Sequence, residues 1–292
     1  MEEIAPGIFV ETGYPPYNLA LIRTNDGALA VDLPPHPEHA RQWLDTAQEA
    51  VGKIKYVILS DAAPERQVAA SLSGHPLIAT TATRSLIMSH DERGWHELLE
   101  AVSGQYDEAP RKAPPLKQCR IALSFSVYFN IHADIGLLHF EAAPGGPPGA
   151  LWITLPNQHL LFAGDIVAID EPPPLENSAN SQAWFEALGL LSGRSEIQRI
   201  VAGRGTTPVL RGAVEQEREF VRTMRRTAHD LFKHRSGGLN YTQAGQDLGQ
   251  TFFNKAGNKA TRRIRKGLEH LVAEIQAAQP LKESPEAVES EE

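Results

Sequence analysis

The sequence predicts an α/β protein in which helices cover the faces of the sheet. Three observations carry this. Strand-like and helix-like segments alternate through residues 8–89, Tyr56–Leu59 is a wholly apolar run of the kind buried on both faces, and four strand-like runs follow between residues 120 and 162. With 292 residues, 41% of them hydrophobic and 22% charged, the chain can bury one large core or two modest ones, and its composition argues against wholesale disorder.

In order, Ile8–Val10 and Leu19–Arg23 read as strands. Asn25-Asp26-Gly27 is a hairpin turn into the strand Ala28–Asp32. Pro37 opens a helix to about Ala50, with Trp43, Leu44 and Ala47 on one face. After Tyr56–Leu59 come a loop at Ser60–Pro64, a helix to about Leu72, a strand at Leu77–Ala79 and a helix at Thr83–Ser89. Asp107–Pro115 is charged and proline-rich, hence a surface loop. Strands are expected at 120–128, 136–141, 150–155 and 159–162, with Pro144–Gly149 as an irregular loop and Gly164-Asp165 closing the last strand. Glu171–Leu175 is a second proline-rich loop. A helix at Ser181–Leu191 then leads to the strand Gln198–Ala202 and a turn at Gly203-Arg204-Gly205. From Pro208 onward the pattern is helical, over 208–235, 241–249 and 257–277. The division expected is a core at 1–207, a helical extension at 208–279 packed on it, and a disordered acidic tail at 280–292.

The net charge of −8 argues against wholesale nucleic-acid binding. Arg211–His270 nevertheless carries 13 Lys and Arg against 6 Asp and Glu, so the rest of the chain holds a net −15. The basic stretch Lys255–Lys266 is read as docking on the acidic core, with nucleic acid or subunit pairing as its other uses. The opening MEEIAPG is acidic where a targeting peptide would be basic, and no apolar run nears the roughly 20 residues of a membrane span, so the expectation is a soluble cytoplasmic protein. One cysteine, Cys119, leaves no intramolecular disulfide and no multi-cysteine zinc site; it reads as a packed small hydrophobe.

Four segments in order resemble the metallo-β-lactamase superfamily. They are Ala5–Val10 with Asn18–Arg23 and Ala28–Asp32; Ile54–Leu59; Leu160–Asp165; and Ile200–Gly205. The resemblance covers about Ile4 to Gly205 and implies a four-layer αββα sandwich, two mixed sheets face to face with helices outside and a helical C-terminal extension. It also implies where metal ligands would stand. The family's H-x-H-x-D-H reads here as Asp61-Ala62-Ala63-Pro64-Glu65-Arg66, so Asp61, Ala63, Glu65 and Arg66 hold those positions. The next histidine position falls on Gly146, the last on Arg204, and of seven ligand positions only the bridging aspartate, Asp165, is unchanged. Asp32 matches the aspartate that ends one of the family's N-terminal strands.

A hydrolytic zinc site needs neutral imidazoles and carboxylates around an open position. Ala63 and Gly146 offer no donor, and the guanidiniums of Arg66 and Arg204 stay protonated and cannot ligate a cation. The preferred reading is therefore a degenerate, metal-free and non-hydrolytic site, in which Arg66 and Arg204 pair with Asp61, Glu65 and Asp165. On this reading the protein acts through ligand binding or protein interaction at the former cleft, alone or as a homo-oligomer. Either arginine is also a candidate anion-binding group for a small anionic ligand. The alternative is an active phosphoester, ester or lactone hydrolase on a non-standard metal set. Asp61, Glu65 and Asp165 are hard oxygen donors suited to Mg²⁺ or Mn²⁺. His36 and His39, three apart at a helix start, and His75, His90, His96, His132, His139 and His159 are read as structural or solvated. Ser60 lies in no G-x-S-x-G elbow, and no P-loop or dinucleotide fingerprint occurs.

Overall fold

Side chains of successive strand residues point to opposite faces of a sheet, and here that alternation sorts the buried residues into three cores. The computed structural model describes residues 1–103, 120–234, 240–253 and 257–278. Its first half runs β1 (Glu2–Ala5), β2 (Ile8–Tyr14), β3 (Tyr17–Thr24), β4 (Gly27–Val31), α1 (Pro37–Val51), β5 (Ile54–Ile58), α2 (Pro64–Ser73), β6 (Leu77–Thr80), α3 (Thr81–Ser89) and α4 (Glu92–Ser103). The second half runs β7 (Ile121–Phe125), β8 (Tyr128–Ala133), β9 (Gly136–Ala142), β10 (Leu151–Leu155), β11 (Leu160–Ile169), α5 (Ser181–Gly193), β12 (Arg199–Gly205), β13 (Val209–Leu210), α6 (Val214–Lys233), α7 (Tyr241–Phe252) and α8 (Asn258–Ala277).

Leu19 and Leu21 of β3, with Ala28 and Ala30 of β4, face Trp43, Leu44, Val68 and Trp95 of α1, α2 and α4. On the far side, Leu161 and Ala163 of β11, with Ile200 and Ala202 of β12, face Trp184, Phe220, Leu268 and Leu271 of α5, α6 and α8. The residues between them, Ala20, Ile22, Leu29 and Val31 from one half and Leu151, Ile153, Phe162 and Val201 from the other, form a shared third core. Helix, sheet, sheet and helix are thus stacked as four layers, with the helices from Val214 onward contributing to the second outer core.

The thirteen described strands hydrogen-bond in one ladder whose main path is β7-β6-β5-β4-β3-β12-β11-β10-β9-β8. The halves meet between β3 and β12 at a single register pair, Tyr17 with Arg204. The buried side chain of Asn18 reinforces that seam, its Nδ2 donating to the carbonyls of Ala202 (3.0 Å) and Gly205 (2.9 Å).

Several segments differ from the sequence reading. The run 120–128 is two strands, because the chain turns at Ser126-Val127: β7 pairs with β6, and β8 pairs with β9 at the opposite end of the ladder. β11 continues to Ile169, past Asp165, since β12 keeps pairing with it as far as Gly205; Gly203-Arg204-Gly205 is therefore strand, not turn. Helix starts at Val214 and not at 208, because Val209 and Leu210 pair back onto β12. β1 and α4 have no counterpart in that reading. The loop 107–115, Cys119, Lys255 and the tail 280–292 lie outside the described residues. Among the described residues no helix is long and apolar enough to cross a membrane.

Candidate functional site

Four strand ends bring charged residues to one place. Asp32 follows β4 in a left-handed conformation (φ 57°) that aspartate tolerates better than most residues, and its N–H donates to Ile58 O of the neighbouring strand. Asp61 follows β5, where its Oδ1 accepts the N–H of Ala63 at 2.7 Å. Pro64 opens α2, so Arg66 sits in that helix's first turn, and side chains there tilt back toward the strand ends. Asp165 and Arg204 arrive on the adjacent parallel strands β11 and β12. Those strands come so close that a Cβ on Gly203 would collide with the backbone of Gly164.

The centre of the arrangement is the Arg66 guanidinium, 1% exposed. Its Nε lies 2.9 Å from Asp32 Oδ2, its Nη1 donates to Asp61 Oδ2 at 2.9 Å, and its Nη2 donates to Asp165 Oδ1 at 2.8 Å. The Nε contact is an ion pair without hydrogen-bond alignment. Arg204 Nε donates to the other oxygen of Asp165 at 2.8 Å, and its Nη2 lies 2.7 Å from that oxygen as an ion pair. Ser60 completes Asp32, donating from Oγ to Oδ2 (2.6 Å) and from its backbone N to Oδ1 (2.9 Å). The ring of Tyr17 lies against both guanidiniums, 4.6 Å from that of Arg66 and 4.5 Å from that of Arg204.

Three carboxylates thus meet two guanidiniums, all of them buried. Burial opposes ionising Asp165, yet Arg204 and Arg66 outweigh it and hold its carboxyl well below the usual carboxylate range. At Asp61 burial prevails over Arg66, with Asp165 and Asp32 adding to it, and the carboxyl is raised to about 7. Burial also disfavours charge on Arg66, but Asp165, Asp32 and Asp61 together hold its guanidinium firmly protonated. A proton on Asp61 would balance the cluster at two charges of each sign.

The sequence-derived site residues fare unequally. Asp61, Arg66, Asp165 and Arg204 meet, and the third carboxylate is Asp32, not Glu65. Glu65 stands half-buried one position before Arg66 and takes no ion pair among the described residues. The Mg²⁺ or Mn²⁺ set of Asp61, Glu65 and Asp165 is therefore not assembled. Asp32, Asp61 and Asp165 converge on a guanidinium, and among the described residues no three His, Cys, Asp or Glu side chains are grouped to hold a metal ion. Ala63 is the N-cap of α2 without a side-chain donor. Gly146 (φ 101°) is unavailable to any larger residue, since a Cβ there would collide with Ile166 Cγ1. Donors of both arginines are turned inward onto carboxylates, so the anion-binding role foreseen for Arg66 and Arg204 has no free guanidinium edge at Arg66.

His36 caps α1, accepting the N–H of Glu38 at 3.3 Å, and its ring lies 4.8 Å from that of His39. His75, His90, His96, His139 and His159 each bond to a nearby carbonyl or amide oxygen. In the described part of the basic stretch, Arg263 lies 3.5 Å from Glu171 and 3.9 Å from Glu176, and Arg265 pairs with Glu269. Sequence reasoning missed Tyr17 and the bonding role of Ser60. An aromatic directly after Pro15-Pro16 was the available signal for the first. Beside Tyr17 and Asn18 a cavity of about 410 Å³ opens, rimmed by Asp170, Glu171, Thr206 and Thr207.

The architecture has counterparts among solved structures. A metallo-β-lactamase family protein from Thermus thermophilus superposes with a TM-score of 0.66 over 94% of this chain and 95% of its own, at 14% identity. The chain has the metallo-β-lactamase fold. The sec-alkylsulfatase Pisa1 from Pseudomonas sp. matches with a TM-score of 0.61 over 95% of this chain at 15% identity, and the chain spans 50% of that enzyme's length. The DIM-1 metallo-β-lactamase matches at 0.56 over 76% of this chain and 96% of its own, at 17% identity. No family model matches the chain, and no curated protein matches it by sequence. On this metallo-β-lactamase fold, the Arg66 cluster lies at the strand ends where the resemblance puts the family's ligands.

Proposed function

We propose that this is a metal-free, non-hydrolytic protein on the metallo-β-lactamase fold, in which guanidinium–carboxylate pairs do the cross-linking that metal ions would otherwise do. The observation that supports it best is Arg66. A permanently charged group touches Asp32, Asp61 and Asp165 at 2.8–2.9 Å, so the carboxylates best placed to ligate a cation are already engaged by one. The donor set does not suit zinc either, with an arginine at two ligand positions and no donor at Ala63 or Gly146. On this reading the cluster is structural, and recognition falls to the cavity of about 410 Å³ beside Tyr17. Its carboxylate rim, Asp170 and Glu171, selects against the anionic ligand that the arginines alone would suggest.

The test is elemental analysis of the purified, chelator-free protein with Zn²⁺ and Mn²⁺ titrations followed by thermal unfolding. The expected result is far below one metal per chain and no stabilisation, whereas a metal at 100 times its Kd would add about 2.7 kcal/mol. Stoichiometric retained metal overturns the proposal, because Arg66 and the ion cannot share the centre.

A further inference from the structure

A second cavity, of about 40 Å³, lies between the end of β11 and helices α6 and α7; it shares Ile169, Asp170 and Glu171 with the cavity of about 410 Å³ and no wall residue with the arginine cluster. Glu217 of α6 lines it and is 5% exposed. Both carboxyl oxygens of Glu217 converge on one donor, the N–H of Ala168, at 3.1 and 3.0 Å. No Lys, Arg or His of the described residues pairs with it. A buried carboxyl ordinarily has a cationic or multiple hydrogen-bonding partner, and this one faces open space instead. Three phenylalanines share the wall with Ile169, Pro173 and Gln216. The ring of Phe220 meets Phe252 and Phe253 edge-on, at centroid distances of 5.2 and 5.1 Å, and Asp170 and Glu171 stand at the same wall.

Aromatic faces and carboxylates both attract positive charge, and together they suit a cation with an apolar part. An anion is disfavoured by three carboxyl groups. A metal ion is disfavoured because the acidic side chains at this wall do not converge as ligands. We propose that this cavity binds the head of a small primary alkylammonium, held by Glu217 and packed against Phe220 and Phe253. The volume fits such a head, being a few times the space one water needs.

Charge is conserved on binding. Burial is the main influence that raises the Glu217 carboxyl well above its usual range, with Asp165 adding to it and the Ala168 hydrogen bond opposing. The acidic groups around it are Asp165, which pairs with Arg66 and Arg204, Asp170, and Glu171, which lies 3.5 Å from Arg263. An ammonium that meets a protonated Glu217 displaces that proton to solvent, and one that meets the carboxylate pairs with it directly.

Isothermal titration of the full chain with ethylammonium chloride tests this, with sodium chloride and ethanol as controls, in two buffers of different ionisation enthalpy. The expected result is saturable one-to-one binding that neither control reproduces, the two buffers reporting any proton released with it. Glu217→Gln retains an acceptor for Ala168 and should weaken binding at least about tenfold with the fold intact by circular dichroism. If that variant fails to fold, Phe253→Leu at the half-buried wall should still weaken binding about threefold. No saturable heat at millimolar ethylammonium, equal binding by ethanol, or unchanged affinity in folded Glu217→Gln overturns the proposal. None of these outcomes depends on metal content, so this result and that of the metal analysis stand apart.

Discussion

Removing the central guanidinium is the most informative perturbation. Arg66→Met keeps an unbranched side chain but strips the cation from Asp32 and Asp61, leaving Asp165 with Arg204 alone. With charge centres about 4 Å apart and an effective dielectric near 20, each lost attraction is about 4 kcal/mol gross. Desolvation offsets much of that in the intact cluster. Breaking a buried pair from one side nevertheless leaves an uncompensated charge, and the net loss is about 3–5 kcal/mol. At roughly 2–4 °C per kcal/mol for a chain of this size, the melting temperature falls by about 6–20 °C. Urea unfolding followed by fluorescence of the four tryptophans measures this at pH 7 and pH 5. The pH dependence has a definite sign. Orphaned buried carboxylates take up protons in the folded state at a pH where the unfolded chain does not, so the variant's stability falls as pH rises, and its deficit is smaller at pH 5 than at pH 7. A variant within about 1 kcal/mol of the parent at pH 7 refutes the argument that Arg66 neutralises buried charge.

The two aspartates should separate. Asp61 is raised to about 7, so Asp61→Asn mimics its protonated form and should cost under about 1 kcal/mol at pH 7, while Asp165→Asn should cost about 3–5 kcal/mol. In the parent, stability linked to Asp61 is full below the ordinary carboxylate value and declines as pH rises toward 7. Stability linked to Asp165 is present above the ordinary value and is lost as pH falls below it. An Asp61→Asn variant should therefore lack the first slope in a pH series and keep the acid loss. Tyr17→Leu should lose about 2 kcal/mol in chemical denaturation and Tyr17→Phe much less, because the ring face supplies the contact with both arginines; equal losses point to the hydroxyl instead. Gly146→His should be destabilised by about 2–4 kcal/mol without gaining zinc affinity, since φ is positive and Ile166 fills the space; a stable zinc-binding variant would reverse that assignment.

The layered fold was legible because Ala28–Val31 and Leu160–Ala163 are unbroken apolar runs, a local signal of strands covered on both faces. The split at Ser126-Val127 was not legible, since β7 and β8 are both strand-like and only their partners, at opposite ends of the ladder, separate them. At the site, Asp61, Arg66, Asp165 and Arg204 were found by aligned position. Choosing Asp32 over Glu65 depended on direction: Asp32 ends a strand and points across to Ser60 and Arg66, whereas Glu65 is rotated about 100° from Arg66 around α2. Glu217 and its aromatic wall carried no sequence signal, because a glutamate in an amphipathic helix ordinarily faces water.

The seam between the halves has a consequence for how the chain is made. Tyr17 and Asn18 are made well before their partners Arg204 and Gly205, which follow 187 residues later. Until then β3 is paired only with β2 and β4, Arg66 lacks Asp165, and Ala20, Ile22, Leu29 and Val31 lack the second-half residues that bury them. The middle core is thus complete only after Val201 has been made, and the apolar face of the first half stays uncovered while residues 32–200 are emerging.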